Sequence, residues 1–174
     1  YGPKTFFICS SLASMGYGVS ASIGGQLAAT DKHVLCVCGD GDFLMQGMEV
    51  VTAVNYGIPV KWFIFNNQKL AMIGDLQNIM FKGRRIASEF INPDFVRLAE
   101  AMGAVGLRIT GPEDIRPVVQ QALENNRPTV IDVNIDVNEM PPFDARAEAI
   151  SRAWGASAPL FAKLKMIPQL LKRM

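Results

Sequence analysis

The chain has 174 residues, of which 49% are hydrophobic, and a formal net charge of +1 at pH 7. This length and apolar content suffice for one full hydrophobic core, and the balanced charge gives no reason to expect a nucleic-acid partner. No apolar run approaches the ~20 residues needed to cross a bilayer, so no membrane span is predicted.

Apolar runs alternate with helical patterns along most of the chain, as is typical of an α/β domain. Because helical patterns separate the strand runs, we predict a doubly wound, mostly parallel sheet with helices on both faces. In chain order, the predicted elements are helix 19–29, strand 33–39, helix 43–56, strand 59–66, helix 93–103, strand 105–110, helix 113–125 and strand 128–136.

A long connection, residues 68–91, separates the second predicted strand from the next predicted helix and shows no sustained period. It mixes glycine and basic residues with apolar ones, and such connections inside a compact domain are often functional lids. We therefore expect a lid here. Arg84 and Arg85 are candidates for contacting a substrate carboxylate, with solvated surface charge as the alternative.

Two later helices have recognisable starts. Asn92 is expected to cap the helix at 93–103, with Pro93 in its first turn. Glu113 and Asp114 open the next helix and complement its dipole. Both segments are interpreted as scaffold.

The cysteines and the single histidine exclude several kinds of site. Cys9, Cys36 and Cys38 are odd in number, and the latter two lie on one face of a predicted strand. They are interpreted as core thiols of a protein in a reducing compartment, the cytoplasm. No zinc-ligand spacing is present. His33 is the only histidine and precedes a strand, so a histidine-dependent triad is not considered further.

Polar side chains follow two predicted strands at the point where each strand ends. Asp40 comes directly after strand 33–39, and Asn66 and Asn67 follow strand 59–66. The carboxyl ends of parallel strands face one crevice, so Asp40 and Asn67 can converge on one hard cation. Taken singly, a Gly-Asp-Gly is commonly a turn with a capping Asp, and Asn-Asn is commonly a loop.

The glycines beside Asp40 suggest that the main chain approaches an anion. Gly39 and Gly41 lack Cβ atoms where a sharp turn is expected, and the N–H groups of Gly41, Asp42 and Phe43 are expected to open the following helix. A phosphate group suits such a helix start.

This arrangement resembles the Gly-Asp-Gly…Asn-Asn signature of thiamine diphosphate-dependent enzymes. A third segment, residues 13–18, leads into a helix of small residues and is similar to the family segment that holds the aminopyrimidine ring. The resemblance implies that Met15 is the apolar wedge that bends the cofactor, and that the main chain around Ala13 and Met15 bonds the pyrimidine edge. Without the resemblance, Met15 would be interpreted as a core residue.

The resemblance also implies a ligand set. Asp40, the side-chain oxygen of Asn67 and the main-chain carbonyl of Lys69 would bind Mg²⁺ between them. The remaining contacts to thiamine diphosphate are expected from Gly39, Gly41, Asp42, Phe43, Ala71 and Met72.

Within this superfamily, residues 92–103 and 128–133 are most similar to acetolactate synthases and pyruvate oxidases. Ile73 stands where simple pyruvate decarboxylases have an acidic residue, and Leu76 stands where acetolactate synthases have a tryptophan, although Gln77 matches. The implied activity is decarboxylation of a 2-oxoacid such as pyruvate, with transfer of the resulting enamine to a second oxoacid. Pyruvate oxidase-like or other decarboxylase chemistry is the alternative, and the identity of the oxoacid stays open.

In this family a glutamate that protonates the cofactor lies in a separate pyrimidine-binding domain, normally of a neighbouring subunit. Nothing in the chain matches that domain, so we expect a half-site completed by a partner domain or subunit in a homo- or hetero-oligomer. FAD is possible in the complete enzyme but is not expected to bind this domain. The chain starts Tyr1-Gly2-Pro3 without an initiator methionine and looks cut from something longer.

The predicted division is a cofactor-binding domain over residues 1–140 and a helical tail over residues 141–174. The tail carries a basic amphipathic run from residue 159, which suggests docking on the domain or a partner, with contact to a membrane surface as the alternative. Two further hypotheses concern the whole chain. One is a non-catalytic paralogue that keeps the cofactor, and the other is a domain for a different nucleotide, which the absence of Gly-x-Gly-x-x-Gly disfavours.

Overall fold

The computed structural model describes residues 5–137 and shows four parallel strands in the order β1-β2-β4-β3. The strands are β1 (Leu35–Gly39), β2 (Lys61–Asn66), β3 (Val105–Ile109) and β4 (Thr129–Asn134). Each pairs in parallel with its neighbour. The predicted parallel α/β architecture is therefore confirmed, with each strand starting and ending within two residues of its expected bounds.

Six α-helices connect or flank these strands, together with one 3₁₀ turn at Gly47–Glu49. The helices are α1 (Tyr17–Ala28), α2 (Asp40–Gln46), α3 (Val50–Asn55), α4 (Ala71–Met80), α5 (Phe95–Ala101) and α6 (Pro112–Glu124). Within the described part of the chain, no helix has the length and apolarity to cross a membrane. The predicted domain limit at residue 140 and the predicted tail at 141–174 lie outside the described residues.

The predicted helix at 43–56 is wrong in its start and in its continuity. It begins at Asp40, immediately after β1, and the 3₁₀ turn divides it into α2 and α3. Gly47 packs so closely on the ring of Phe43 that a Cβ on Gly47 would lie 2.6 Å from the ring. Glycine also has little intrinsic preference for the α-helix, so the interruption falls there.

Two other expectations need correction. The connection at 68–91 is not devoid of regular structure, because it contains the ten-residue helix α4. The N-cap of α5 is Asp94 rather than Asn92, since the Asp94 side chain accepts hydrogen bonds from the N–H groups of Val96 and Arg97. The single Oδ1 atom of Asp94 thereby satisfies two orphan donors of the first turn.

The main core lies on one face of the sheet, beneath α1, α2, α3 and α5. Its centre is Trp62 of β2, which is fully buried and donates through Nε1 to the carbonyl of Val19 and to Oγ of Ser22 in α1. The largest buried members are Trp62, Phe43, Phe95, Ile64, Val19, Val50, Val60 and Val130. This face therefore fixes α1 and α2, the two helices that bear the candidate site.

The opposite face is covered less completely. Helix α6 packs there through Ala122 and Val118 against Ile109 and Ile131. The β1 side chains on this face, Leu35 and Val37, are exposed. Helices thus lie on both faces as predicted, but among the described residues the second layer reaches mainly β3 and β4.

Candidate functional site

The candidate site lies at the carboxyl ends of β1 and β2, which are adjacent in the sheet. Gly39, the last residue of β1, is in register with Phe65 of β2, so the residues that follow each strand meet. Asp40 begins α2 there, and the backbone N–H of Asn67 donates to Asp40 Oδ2 at 3.1 Å. The structure therefore brings together the two residues, Asp40 and Asn67, that were predicted as metal ligands.

The carboxylate of Asp40 is buried, with 2% of the residue exposed, and neutral N–H groups surround it. Oδ2 accepts from the backbone N–H groups of Asn67 and Gln68 and from the side-chain amide of Asn92, while Oδ1 accepts, among the described residues, only from the N–H of Gly41. No cationic side chain forms an ion pair with it between residues 5 and 137. An ionised carboxylate has about four acceptor positions, so Oδ1 retains capacity for a cation.

Two further candidate ligand oxygens belong to residues 67 and 69, just after β2, and are not claimed by the described residues. The half-buried side chain of Asn67 makes no hydrogen bond there, and no described N–H group donates to the carbonyl of Lys69. The Lys69 side chain is buried and donates to the carbonyl of Val137. One carboxylate, one amide oxygen and one carbonyl form the type of sparse oxygen set that Mg²⁺ takes when phosphate supplies the remaining ligands.

Metal sites rich in charged ligands are absent from the described part of the chain. Residues 5–137 contain no cluster of three or more His, Cys, Asp or Glu side chains that could hold a metal ion. A cation at Asp40 would consequently carry excess positive charge toward an anionic ligand.

Met15 lies beside the start of α2, although it precedes Gly41 by 26 positions in the chain. A Cβ on Gly41 would come within 3.5 Å of the Met15 methyl, 3.3 Å of the Phe90 ring and 2.5 Å of Leu70 Cδ2. Gly41 therefore permits this close packing. Met15 is 41% exposed, so a large part of its side chain is free to contact a ligand.

Gly39 does not behave like Gly41. Its backbone is extended, with φ −75° and ψ 164°, and a Cβ there would meet no atom closer than Asp42 Cβ at 3.9 Å. The expected requirement for glycine at a sharp turn is therefore wrong at this position. What the missing side chain leaves is open space beside the first turn of α2.

Asp42 has a side-chain role that the sequence did not indicate. Its Oδ1 accepts a hydrogen bond from the backbone N–H of Gly16, which ties the loop before α1 to α2. Gly16 has φ +86°, and a Cβ there would lie 2.4 Å from Gln46 Cγ, so only glycine fits. Ala13 in the same loop also has a left-handed backbone, with φ +52°. The loop is thus held in a strained conformation, as is common at ligand sites.

The loop and the two helices enclose a shallow depression of about 510 Å³. Its lining residues are Ser14, Met15, Gly16, Tyr17, Ser20, Ala21 and Gln46. Both Met15 and Tyr17 are exposed, and Ser20 Oγ donates to Gln46 Oε1 at 3.2 Å. The depression has the mixed apolar and polar lining that suits an aromatic heterocycle.

The other predicted contact residues take different positions. Phe43 is buried and packs edge-on against Phe95 with ring centroids 5.7 Å apart, so only its main chain is available to a ligand. Ala71 and Met72 begin α4 directly after Lys69 and Leu70, and Met72 is exposed. Arg85 is engaged within the connection 68–91 by Asn78 and Glu89, which favours the surface-charge interpretation for this arginine.

A chain of polar side chains behind Asp40 was not foreseen. Asn92 donates to both Asp40 and Asn66, and Asn66 donates to Asp132 of β4. Arg108 of β3 then joins Asp132 to Asp94, the cap of α5. The Arg97 N–H, with help from Arg108, holds the pKa of Asp94 below its usual value. The only sequence signal was the polar character of these residues.

Comparison with known proteins identifies the relatives of this domain. The family model "Thiamine pyrophosphate enzyme, C-terminal TPP binding domain" matches residues 1–133. The acetolactate synthase isozyme 3 large subunit of Escherichia coli is 36% identical over 157 residues, 87% of this chain and 27% of that protein. The acetolactate synthase large subunit of Corynebacterium glutamicum is 39% identical over 136 residues, 75% of this chain and 22% of that protein.

A solved structure shows the same fold. The thiamine diphosphate-dependent 4-hydroxybenzoylformate decarboxylase of Rhodococcus jostii RHA1 superposes with a TM-score of 0.68 at 31% identity. The match covers 72% of this chain and 24% of that one. The chain thus spans about a quarter of the length of the relatives that it matches.

Proposed function

This chain belongs to the thiamine pyrophosphate enzymes as their C-terminal cofactor-binding domain; thiamine pyrophosphate is another name for thiamine diphosphate. We propose that the domain holds Mg²⁺ and thiamine diphosphate for decarboxylation of a 2-oxoacid. The product two-carbon unit would pass to a second 2-oxoacid, as the similarity to acetolactate synthases suggests. The observation that carries the proposal is the buried Asp40 carboxylate, which has no cationic partner within residues 5–137.

The residues present fit the metal. Asp40 Oδ1, the side-chain oxygen of Asn67 and the carbonyl of Lys69 would hold Mg²⁺, and the diphosphate would supply further oxygens. Four N–H donors from the described residues fix the carboxylate of Asp40 in place. A fixed ligand binds its cation with little loss of conformational entropy.

The first turn of α2 is the proposed position of the diphosphate. The space beside Gly39 gives a phosphate access to the main chain, and the N–H groups of Asp42 and Phe43 are the proposed donors. The N–H of Gly41, which was also predicted to face the anion, already donates to Asp40 Oδ1 at 2.7 Å. Gly41 therefore contributes chiefly by its missing side chain.

The depression next to Met15 is the proposed position of the aminopyrimidine and thiazolium rings. Met15 would support the cofactor in its bent conformation, and the main chain around Ala13 would bond the pyrimidine edge. When bound, the cofactor supplies the electron sink for decarboxylation. The chain's own residues supply binding, orientation and, through the lid at 68–91, exclusion of water.

The lid contributes to the choice of reaction. Met72, Ile73 and Leu76 of α4 are all exposed, and none of them can deliver a proton to a departing aldehyde. This composition favours transfer to an acceptor over simple aldehyde release.

A second candidate is another 2-oxoacid decarboxylase or a pyruvate oxidase-like enzyme, supported by the structural similarity to the 4-hydroxybenzoylformate decarboxylase. FAD would then bind elsewhere in the complete enzyme.

The proposed assembly includes a pyrimidine-binding domain or subunit, which would supply the glutamate that activates the cofactor. A homo- or hetero-oligomer would serve equally well. Cys9, Cys36 and Cys38 are free thiols, which is compatible with the proposed cytoplasmic location.

Calorimetric titration of the 174-residue chain with thiamine diphosphate, with and without Mg²⁺, tests the proposal. We expect Asp40→Ala to abolish Mg²⁺-dependent binding and Asn67→Ala to weaken it in part, because the neutral amide cannot replace the carboxylate. Asp31→Ala, at an exposed loop position, is the matched control. Binding that is indifferent to Asp40→Ala, to Asn67→Ala and to a chelator would show that the metal assignment is wrong.

A further inference from the structure

Asn92 reaches the candidate metal site although it lies 52 residues after Asp40 in the chain. Its amide nitrogen is 2.7 Å from Asp40 Oδ2 and 2.8 Å from Asn66 Oδ1. Both hydrogens of the amide are therefore used. Asp94 caps α5, so Asn92 is not needed for that purpose.

The orientation of the Asn92 amide is dictated by its neighbours. Turning the amide over would place its oxygen against two acceptor oxygens, one of which belongs to a carboxylate. Asn66 is oriented in the same way, because its own amide nitrogen donates to Asp132 Oδ1 at 2.9 Å. Asp132, which is only 3% exposed, is in turn paired with Arg108 at 3.1 Å. The ion pair thus fixes the direction of the whole chain of hydrogen bonds.

The oxygen of the Asn92 amide is buried and has no hydrogen-bond partner among residues 5–137. Buried acceptors are rarely left unpaired in native proteins. An acceptor in this position calls for a donor from outside these residues. A water molecule that hydrates a cation at Asp40 is a donor of the right kind, since Mg²⁺ usually keeps several waters.

We propose that Asn92 is a positioning residue for the metal site, which holds the carboxylate of Asp40 in the orientation that binds the cation. This inference rests on the proposed function, since it assumes a cation at Asp40. Asn92 occupies Oδ2 and so directs the less engaged Oδ1 toward the metal. Groups that fix metal ligands in this way commonly affect metal affinity strongly.

Electron paramagnetic resonance of Mn²⁺ in the presence of thiamine diphosphate tests the inference by a readout that does not depend on turnover. We expect Asn92→Ala and the milder Asn92→Ser to weaken Mn²⁺ binding by ~10- to 100-fold. Asp94→Ala is the matched control. It lies two residues after Asn92 and removes the α5 cap and one contact to Arg108, but it removes no contact to Asp40. It should lower the melting temperature and leave Mn²⁺ affinity at the wild-type value.

The outcomes separate this inference from the proposed function. If Asp40→Ala loses Mn²⁺ while both Asn92 variants bind it as tightly as the wild type, the role of Asn92 is wrong and the metal site stands. Equal losses in Asp94→Ala and Asn92→Ala would also overturn it, because general loosening of the turn would explain both. A wild-type chain that fails to bind Mn²⁺, or an Asp40→Ala variant that binds it normally, would contradict the metal site itself. If Asn92→Ala does not fold, Asn92→Ser decides.

Discussion

Met15 offers the sharpest residue-scale test of the cofactor geometry, because it lies beside Gly41 without contributing an oxygen to the metal site. We expect Met15→Ala to leave diphosphate anchoring largely intact and to slow deprotonation of the cofactor C2. The reason is that, in the proposed geometry, the side chain would support the angle between the two rings rather than the phosphate. Hydrogen–deuterium exchange at C2, followed by NMR in the assembled enzyme, measures this effect.

Met15→Leu is the control for that experiment. Leucine has a similar volume without the sulfur, so it should restore most of the exchange rate if size is what matters. An unchanged exchange rate in Met15→Ala would eliminate the wedge role. A Met15→Leu rate as slow as that of Met15→Ala would instead make the thioether itself the important feature.

Lys61, at the start of β2 and remote from the candidate site, makes the stability of the domain depend on pH. Its residue is fully buried, and its ammonium donates to the carbonyls of Asn125 and Arg127 and to Thr129 Oγ1. Burial lowers the pKa of Lys61 from 10.5 to about 8. Between pH 8 and 10.5 the unfolded chain therefore binds more protons than the folded one.

The sign of this linkage predicts that stability rises with pH across that window, since the folded state no longer has to bury the charge. The free energy of unfolding should increase by up to about 3 kcal/mol. Urea denaturation at pH 7 to 10.5 measures it. Lys61→Met, of similar length but uncharged, should lack the rise. The same increase in Lys61→Met would assign it to other titrating groups.

At the scale of elements, helix α5 and strand β3 approach so closely that only glycine fits between them. A Cβ on Gly106 would lie 2.6 Å from the carbonyl oxygen of Val96 and 2.9 Å from its Cα. Because backbone cannot move aside like the end of a side chain, we expect Gly106→Ala to destabilise the domain by ~1–3 kcal/mol. Urea denaturation followed by circular dichroism gives the value.

Gly24 in α1 is the matched control for Gly106. A Cβ there would meet no atom within 4 Å, and alanine is favoured over glycine inside a helix. Gly24→Ala should accordingly stabilise the domain by ~0.5–1 kcal/mol. Destabilisation by Gly24→Ala, or none by Gly106→Ala, would contradict this description of the two elements.

The elements that the sequence predicted well are those whose pattern is local. Strands β1 and β2 follow directly from their apolar runs, and Asp40 and Asn67 then meet because the parallel sheet aligns the strand ends. Helix α4 was missed since Gly74 and Asp75 are buried where an amphipathic helix would show apolar residues. The break between α2 and α3 depends on how Gly47 fits against Phe43, which no local pattern reveals.

The same distinction explains what was found and missed in the site. Asn92 was interpreted as a helix cap because Asn before Pro commonly takes that role. Its contact with Asp40 depends on the path of the long connection before α5. The Asp42 side chain can accept the Gly16 N–H only because the fold places α1 beside α2. Contacts of this kind follow from tertiary structure and not from spacing along the chain.

At the largest scale, the side of the domain that carries the candidate site has several exposed apolar side chains. The side chains involved belong to the loop before α1, to the start of α1 and to the segment from α2 into the 3₁₀ turn: Leu12, Met15, Tyr17, Leu44, Met45 and Met48. Apolar surface of this kind is typical of a docking site. It supports the proposal that another domain covers the cofactor.

The described glutamates do not supply the acid that the cofactor requires in this family. Glu49 accepts a hydrogen bond from Thr52, Glu89 pairs with Arg85 and Glu124 accepts from Gln120. Glu100 and Glu113 lie on the scaffold helices α5 and α6. Glu139 and Glu148 lie outside the described residues. We therefore expect the glutamate to come from the partner.

The isolated chain should accordingly be inert as a catalyst and should become active only with a pyrimidine-binding domain. The amino group of the cofactor acts as a base only when a carboxylate bonds the ring, and general acid–base catalysis of this type typically contributes 10²–10⁴-fold. Turnover of pyruvate by the purified chain with thiamine diphosphate and Mg²⁺, before and after addition of a pyrimidine-domain subunit, measures the requirement. The Asp40→Ala chain plus the same subunit is the control, and it should stay inactive. Robust decarboxylation by the chain alone would show that it carries a complete site.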